Sequence, residues 1–302
     1  MHKKILITGV NGQVGHALAQ VFANDSSPER KVFLLDRNQL DLSNKDEIRR
    51  IVQEIHPDLI INPAAYTAVD KAETEPELAF AINAFAPQIL AEEAAKIGSK
   101  IIHFSTDYVY NGTKPTWYVE DDNTDPLGVY GQSKLAGENA IRAVGLPHLI
   151  FRTSWVYGAY GKNFLNTILR LSKEREELRI VSDQIGAPTS SASIADATFN
   201  AINVWDNDLS GVYHLVNAGE TSWHGFAKAI VEEYSHLQKV NAWPELKVKA
   251  ANIHGITTKE FPTPAKRPTN SKLNCNKLER DLSIELSNWR FALVAELLKL
   301  KP

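Results

Sequence analysis

The chain has 302 residues, of which 43% are hydrophobic and 23% are charged, with a formal net charge of −3 at pH 7. This length allows one large domain or two modest domains, and the charge excludes the strongly basic surface that nucleic-acid binding needs. The single cysteine, Cys275, excludes an internal disulfide and a thiolate metal cluster, and is typical of a reducing cytosol. The apolar run at residues 5–7 is too short for a signal peptide or a membrane span, so we expect a cytoplasmic protein without a membrane partner.

Short apolar runs alternate with longer helical patterns along the chain. Strands are predicted at residues 4–8, 31–36, 58–62, 100–105, 148–152 and 212–216. Helices are predicted at residues 14–23, 46–55, 77–97, 130–143, 165–178 and 193–205. This alternation predicts an α/β fold with a doubly wound parallel Rossmann-type sheet. Ligands bind such sheets at the carboxyl ends of the strands, so functional residues are sought there.

The first predicted strand is followed by T-G-V-N-G-Q-V-G at residues 8–15. Glycines permit a tight turn and close backbone approach, and the next helix begins where it would face a pyrophosphate. A plain strand-to-helix turn is the alternative, but an acidic residue, Asp36, ends the next strand, as in dinucleotide sites. We therefore predict cofactor contacts from Gly9, Asn11, Gly12, Gln13, Val14 and Gly15.

The second strand leaves the choice of cofactor open. Asp36 can accept hydrogen bonds from ribose hydroxyls, which favours NADH, whereas Arg37 beside it could meet the 2′-phosphate of NADPH. Asp41 and Leu42 are predicted to border the adenine, with a helix start as the alternative. The third strand ends in small residues that would let a dinucleotide pass, unless they serve tight packing alone. The contacts predicted there are Ala64, Ala65 and Tyr66.

Tyr130 and Lys134 lie four residues apart in Y-G-Q-S-K, on one face of a predicted helix. A nearby ammonium group would lower the tyrosine pKa from about 10 and make the phenol a usable proton donor or acceptor. Thr106 ends the fourth strand, where its hydroxyl could bond a substrate carbonyl. The alternatives are a strand-end cap for Thr106 and a solvated charge for Lys134. Because all three lie at one end of the sheet, we predict that they are catalytic and that Tyr130 and Lys134 also contact the cofactor.

Three motifs together resemble the extended short-chain dehydrogenase/reductase family: T-G-x-x-G-x-x-G, S-T-D-Y-V-Y at residues 105–110, and Y-x-x-x-K. Segments at residues 62–73, 152–158, 183–189 and 267–273 are similar to members that reduce the C4 ketone of a dTDP-linked 6-deoxy-4-ketohexose. This resemblance covers nearly the whole chain. It implies an oxidoreductase that uses NADPH or NADH and in which Tyr130 protonates the developing alkoxide.

The resemblance also implies contacts to a dTDP-linked deoxysugar. Val69 and Asp70 would lie near the sugar, and Trp155 would form a wall against it, with a half-buried core position as the alternative. Arg267 is a candidate for the diphosphate because its fork of donors fits that group, with a plain surface position as the alternative. The predicted substrate contacts are Val69, Asp70, Thr106, Asp107, Tyr108, Trp155, Asn163, Gln184 and Arg267.

Two domains are expected from the same resemblance. The NAD(P)-binding Rossmann domain would comprise residues 1–154 with 189–217, and a smaller C-terminal α/β substrate domain would comprise residues 155–188 with 218–302. A homodimer is left open. Two other functions also remain open: a different nucleotide-sugar 4-reductase or epimerase, and a non-catalytic regulatory subunit, although the intact catalytic set argues against the latter.

No metal site is predicted. Some relatives hold magnesium through an acidic residue just after the glycine motif, where this chain has His16. His103 lies inside an apolar strand and is predicted to be a buried residue with satisfied hydrogen bonds rather than a metal ligand.

Overall fold

A six-stranded parallel sheet forms the centre of this computed structural model, which describes residues 3–25, 27, 29–206 and 209–300. In chain order the strands are β1 (Lys4–Ile7), β2 (Lys31–Leu34), β3 (Leu59–Asn62), β4 (Lys100–Thr106), β5 (His148–Thr153), β6 (Val156–Tyr157), β7 (Leu178–Val181), β8 (Ile185–Gly186), β9 (Thr189–Ser190), β10 (Gly211–His214), β11 (Thr221–Ser222), β12 (Ile253–Ile256) and β13 (Asn270–Ser271). The helices are α1 (Gln13–Ala23), α2 (Lys45–Ile55), α3 (Val69–Ala72), α4 (Pro76–Phe80), α5 (Ala86–Lys96), α6 (Val129–Val144), α7 (Phe164–Glu174), α8 (Ser191–Val204), α9 (Trp223–Asn241), α10 (Asn276–Leu282) and α11 (Trp289–Leu298).

The strand order in the large sheet is β10-β5-β4-β3-β1-β2, and every pairing is parallel. From β1 the chain passes outward to β2 and then returns to β3 on the opposite side of β1. Ligands bind in the crevice that such a reversal opens at the carboxyl ends of the strands. The predicted doubly wound parallel sheet is therefore confirmed, including the late strand, which pairs with β5 as β10.

Both faces of the sheet are covered by helices, which explains the nearly continuous apolar runs of its strands. On one face, side chains of β1, β3, β4 and β5 pack with α2, α5 and α6; these are Leu6, Ile60, Ile101 and Ile150. The intervening residues of the same strands pack against α1 and α8 on the other face. Side chains alternate along a strand, so the residues two positions further along these strands lie on the same face, the one covered by α6. These residues are polar: Thr8, Asn62, His103 and Arg152.

A separate hydrophobic core lies around α7, α9 and α11, together with the parallel pair β7 and β12. Its buried members include Leu165 of α7, Phe226 and Ile230 of α9, and Leu293 of α11. A further three-stranded sheet has the order β11-β8-β13. The division of the chain into two domains at the predicted boundaries stays a prediction.

Two predicted helices differ from the structure. The helix predicted at residues 165–178 ends at Glu174, because Arg175 is extended and residues 178–181 form β7. The helix predicted at residues 77–97 is interrupted by a π-helical turn, Ala81–Phe85, which joins α4 to α5. None of the helices in the described part of the chain combines the length and apolar character that a bilayer span needs.

Candidate active site

The glycine turn after β1 is packed against the end of β3. Gly9 has a φ of +57°, and a Cβ there would lie 2.7 Å from the Cβ of Ala64. A Cβ on Gly15 would lie 2.3 Å from the Gly9 carbonyl oxygen. Side chains at these two positions would clash, so glycine is required by the conformation at Gly9 and by the close packing at both positions. Ala64, predicted as a small residue that a dinucleotide could pass, forms the opposite wall of this turn.

The first turn of α1 presents unoccupied hydrogen-bonding groups to the crevice. Its N-cap is Gly12, which has no side chain to accept from the helix N–H groups, and its first turn contains no acidic residue. The Oε1 atom of Gln13 is buried without a hydrogen-bond partner among the described residues. Free N–H groups at a helix N-terminus bind phosphate well, so this part of the site fits a dinucleotide.

The predicted adenosine end lies at the rim of the sheet. Asp36 accepts hydrogen bonds from the backbone N–H of Asn38 at 2.9 Å and from the Asn11 amide at 3.2 Å. The side chain of Arg37 is 75% exposed and its Nε lies 3.8 Å from Asp41. Leu42 is buried in the core beneath the α6 face of the sheet. Asp36 and Arg37 thus lie side by side at the rim, and this geometry does not select between NADH and NADPH.

The loop after β3 is held by Asn83, a residue that the sequence analysis missed. The Asn83 side chain accepts from the Tyr66 N–H at 2.8 Å and donates to the Tyr66 carbonyl at 3.0 Å. It also donates to the Ser133 hydroxyl on α6 at 3.0 Å. Asn83 lies in the π-helical turn, which inserts an extra residue into the helix. The loop carrying Ala65 and Tyr66 is thereby fixed relative to the helix carrying Tyr130.

Thr106, Tyr130 and Lys134 lie together between β4 and α6. Tyr130 is partly exposed in the first turn of α6, and its phenol interacts with the Thr106 hydroxyl. Burial raises the pKa of Tyr130 to about 12, although this interaction with Thr106 lowers it. A Cβ on Gly131 would lie 2.2 Å from the Tyr108 carbonyl oxygen, so α6 packs very closely against the segment after β4.

Lys134 is directed toward β4 rather than toward solvent. Its side chain is 1% exposed, and Nζ donates to the Phe104 carbonyl at 2.6 Å and lies 3.2 Å from His103 Nε2. Burial lowers the pKa of Lys134 to about 8, whereas Glu138 one turn along α6 raises it. The solvated-charge alternative for Lys134 is therefore wrong. The expected lowering of the Tyr130 pKa by Lys134 is not found in this structure, because burial dominates the Tyr130 environment and Nζ is bonded to β4.

A buried ion pair fixes α6 against β5. Arg152 contacts Glu138 through Nε and Nη2, with Nη2 2.6 Å from Oε2, and the two side chains are 3% and 0% exposed. Nη1 of Arg152 also donates to the Tyr110 hydroxyl at 2.6 Å, and the Ser105 hydroxyl donates to Glu138. This network joins β4, β5 and α6 one helical turn along α6 from Lys134.

Asp107 and Tyr108 follow Thr106 at the end of β4. Burial raises the pKa of Asp107 to about 6, although Ser271 and Thr106 donate to its carboxylate and lower it. The Oδ2 atom of Asp107 is buried without a partner among the described residues. The Tyr108 ring contacts the Tyr130 ring edge to face with centroids 5.4 Å apart. Two predicted substrate residues therefore lie beside Tyr130, and one of them retains an unused polar atom.

Replacing Asp107 with asparagine should stabilise the protein at pH 8. The native carboxyl holds its proton up to about pH 6, whereas the unfolded chain releases it near 3.8, so ionisation destabilises the fold as pH rises through that window. A shift of about two pKa units corresponds to about 3 kcal/mol, which is the upper limit of the gain. Urea unfolding of Asp107→Asn and wild type at pH 8 and at pH 4.5 measures it.

The gain should shrink as pH falls toward 4.5, because the wild-type carboxyl is then mostly protonated. The exposed Asp121→Asn variant is the matched control and should change the unfolding free energy little at either pH. An equal effect of Asp107→Asn at both pH values would contradict a penalty that arises from ionisation.

Asp70 and Arg267 form an ion pair across the cleft. Nη2 of Arg267 lies 3.0 Å from Asp70 Oδ2, and the Ala265 N–H donates to the other carboxylate oxygen at 3.2 Å. Asp70 is in the first turn of α3, next to Val69. Arg267 Nε is buried without a partner among the described residues. The plain-surface alternative for Arg267 is therefore wrong, and its role toward a diphosphate stays a prediction.

Trp155 follows β5 with an unusual backbone. Its φ is +48°, a conformation that is strained for a bulky residue. The indole stacks on Trp223 with ring centroids 3.7 Å apart, and a Cβ on Gly186 would lie 2.8 Å from Trp155 Cε2. The sequence analysis missed Trp223. Trp155 is half-buried, as its alternative interpretation stated, and this does not exclude contact with a sugar.

Asn163 and Gln184 are engaged within the protein. Asn163 is the N-cap of α7, and its amide donates to the Gly158 and Tyr160 carbonyls at 2.8 and 3.2 Å. Gln184 is buried and donates to the Thr258 hydroxyl at 3.1 Å. A nucleotide contact from either side chain would require one of these hydrogen bonds to be exchanged, so both assignments stay predictions.

Comparison with known proteins agrees with the cleft geometry. The family model described as the RmlD substrate binding domain matches residues 3–301. A dTDP-4-dehydrorhamnose reductase of Burkholderia thailandensis is 45% identical over 295 residues, which cover 96% of this chain and 96% of the relative. One from Escherichia coli (strain K12) is 42% identical over 292 residues, covering 95% of this chain and 94% of the relative.

A solved structure gives the same result at the level of the fold. The crystal structure of dTDP-4-dehydrorhamnose reductase from Bacillus anthracis str. Ames in complex with NADP matches with a TM-score of 0.89 and 37% identity. The match covers 99% of this chain and 100% of that chain. The resemblance predicted from the motifs is confirmed, and the chain belongs to the dTDP-4-dehydrorhamnose reductase family.

Proposed function

We propose that this chain reduces the C4 ketone of dTDP-4-dehydro-6-deoxy-L-mannose (dTDP-4-dehydrorhamnose) to dTDP-L-rhamnose, using NADPH or NADH. The observation that carries the proposal is the placement of Thr106, at the carboxyl end of β4, beside Tyr130, in the first turn of α6, where hydrogen bonding with Thr106 lowers the Tyr130 pKa. Both residues lie at the carboxyl-end edge of the sheet, where the glycine turn fits a dinucleotide. The full-length similarity to reductases with this named substrate supports the choice of sugar.

The cofactor would be held by the glycine turn, the free N–H groups of α1 and the loop of Ala64 to Tyr66. Gly9 packs against Ala64, and Asn83 is hydrogen-bonded to the Tyr66 backbone, so these contacts hold the two segments together. Hydride comes from the nicotinamide C4 of the bound reduced cofactor. The chain supplies the remaining chemistry, which is orientation of the ketone and delivery of a proton.

Tyr130 is proposed as the proton donor. With a pKa raised to about 12, its phenol is protonated at neutral pH and can donate to the ketone oxygen as negative charge develops there. The Thr106 hydroxyl supplies a second hydrogen bond to that oxygen. For Lys134 to stabilise the phenolate that proton transfer leaves, its Nζ would have to exchange the hydrogen bond to the Phe104 carbonyl for a position nearer Tyr130.

The sugar and nucleotide are proposed to bind against the opposite wall of the cleft. Asp107 offers an unpaired buried oxygen to a sugar hydroxyl, and Tyr108 packs beside Tyr130. Arg267, which is paired with Asp70, would offer guanidinium donors to the diphosphate. The separate core around α7, α9 and α11 supports a substrate domain of residues 155–188 with 218–302. A homodimer and a cytoplasmic location stay predictions.

Purified protein given NADPH and dTDP-4-dehydrorhamnose should consume the reduced cofactor and release dTDP-L-rhamnose in equal amount. The absorbance of the reduced nicotinamide follows the first quantity, and chromatography with NMR of the sugar identifies the product. Release of the C4 epimer would identify a different 4-reductase. Sugar interconversion without net NADPH consumption would indicate an epimerase. NADPH binding without turnover would favour a regulatory subunit and sink the reductase proposal.

A further inference from the structure

A continuous row of buried, hydrogen-bonded side chains extends from Lys134 across three strands. Thr8 follows β1, Asn62 ends β3 and His103 lies in the middle of β4, all on the α6 face. Asn62 and His103 are direct neighbours in the β3–β4 register. Thr8 Oγ1 donates to Asn62 Oδ1 at 2.6 Å, and the Asn62 amide lies 3.1 Å from His103 Nδ1. His103 Nε2 lies 3.2 Å from Lys134 Nζ. All four side chains are at most 1% exposed.

The chemistry of the imidazole limits which atoms of this row can donate and which can accept a hydrogen bond. Burial, together with the charge of Lys134, holds the pKa of His103 well below its ordinary value, so the ring is neutral. A neutral imidazole has one N–H and one lone pair. An ammonium at Lys134 therefore needs the lone pair on Nε2 and the proton on Nδ1. Asn62 accepts that proton only with its amide rotated by 180°, so that the oxygen faces His103 and the NH2 group donates to the Thr8 hydroxyl. An Nε2–H would instead face Lys134 and fit only an uncharged amine.

We propose that His103 is the positioning residue for Lys134, and that Asn62 and Thr8 orient the His103 ring. The tautomer of the imidazole is thereby coupled to the charge of Lys134. This inference rests on the proposed reductase function and adds a determinant of its pH dependence. Lys134 has two partners in the described structure, the Phe104 carbonyl and His103. Removing the imidazole leaves a buried ammonium with one of them.

Other charged groups near Lys134 do not replace His103. Glu138, on the same helix, favours the ammonium, but its carboxylate is bonded to Arg152 of β5 and to the Ser105 hydroxyl of β4. Tyr130, the other titratable group on this face of α6, is uncharged at neutral pH because burial raises its pKa. His103 is thus the polar side chain that contacts Nζ directly.

The test compares His103→Leu, which removes the acceptor, with His103→Gln, whose amide oxygen can accept from Lys134. Two readouts are followed against pH: turnover of the dTDP-linked ketone, and the dissociation constant of NADPH measured by quenching of tryptophan fluorescence. In wild type, turnover and the affinity for NADPH should both decline above about pH 8 as Lys134 loses its proton. In His103→Leu this decline should move down by one to two pH units, about the free energy of one hydrogen bond to a charged group.

His103→Gln should restore the decline to within about half a pH unit of wild type. Thr8→Val keeps the side-chain volume and removes only the hydroxyl that hydrogen-bonds the Asn62 amide, so it should give a smaller downward shift. It also serves as the test if His103→Leu does not fold. Unshifted profiles in folded His103→Leu or Thr8→Val would overturn the inference and leave His103 a structural residue. Absence of wild-type turnover would sink the reductase function instead, while the NADPH-binding profile would still decide the role of His103.

Discussion

Tyr130→Phe should reduce turnover by about 10²–10⁴-fold, the usual contribution of a general acid, while the dissociation constant of NADPH stays nearly unchanged. The variant removes one oxygen atom, the one that faces Thr106, and leaves the ring packed edge to face against Tyr108. Loss of the proton donor leaves the developing alkoxide without a fixed source of a proton. Steady-state turnover and fluorescence titration with NADPH measure the two quantities separately.

Tyr157→Phe is the matched control, since it also removes a buried phenolic hydroxyl but from the core around α7, α9 and α11. That hydroxyl donates to the Trp289 carbonyl at 3.4 Å, away from the cleft. Turnover of Tyr157→Phe should stay within about twofold of wild type, consistent with the loss of a weak hydrogen bond outside the site. Wild-type turnover in Tyr130→Phe would show that the proton comes from another group.

The positions of several candidate site residues, though not their roles, follow directly from local sequence. The glycine turn, Thr106 and the Tyr130–Lys134 pair each come at the carboxyl end of a predicted strand or at the start of the helix beside it. Parallel strands bring these ends to one edge, so their convergence could be predicted without knowing which strands pair. The contact of Gly9 with Ala64 adds the reason that both positions are small.

The residues that the sequence analysis missed depend on pairing between distant segments. Nothing in the helical pattern of residues 77–97 signals the π-helical turn, yet that turn directs Asn83 toward both Tyr66 and Ser133. His103 is buried with both ring nitrogens bonded, as predicted, but its partner Asn62 follows only from the β3–β4 register. The direction of the Lys134 side chain likewise depends on where α6 lies over β4.

Arg152→Met should lower the free energy of unfolding by about 3–5 kcal/mol, because it leaves the fully buried Glu138 carboxylate without its counter-charge. Folded proteins of this kind are stable by only about 5–15 kcal/mol, so this loss would remove a large share of the stability. Urea unfolding at pH 7 measures it. Arg170→Met is the matched control: its pair with Glu174 is more than half exposed, and its loss should change stability by at most about 0.5 kcal/mol.

The double variant Arg152→Met with Glu138→Leu separates buried charge from packing. If the unpaired carboxylate is what destabilises the single variant, replacing both partners with apolar side chains should recover most of the lost stability. A double variant as unstable as Arg152→Met would instead assign the loss to the hydrogen bonds with Tyr110 and Ser105. Glu138 also favours the charged form of Lys134 one turn away. The stable double variant should therefore lose turnover at a lower pH than wild type, which would show that this ion pair supports both the fold and the charge in the active site.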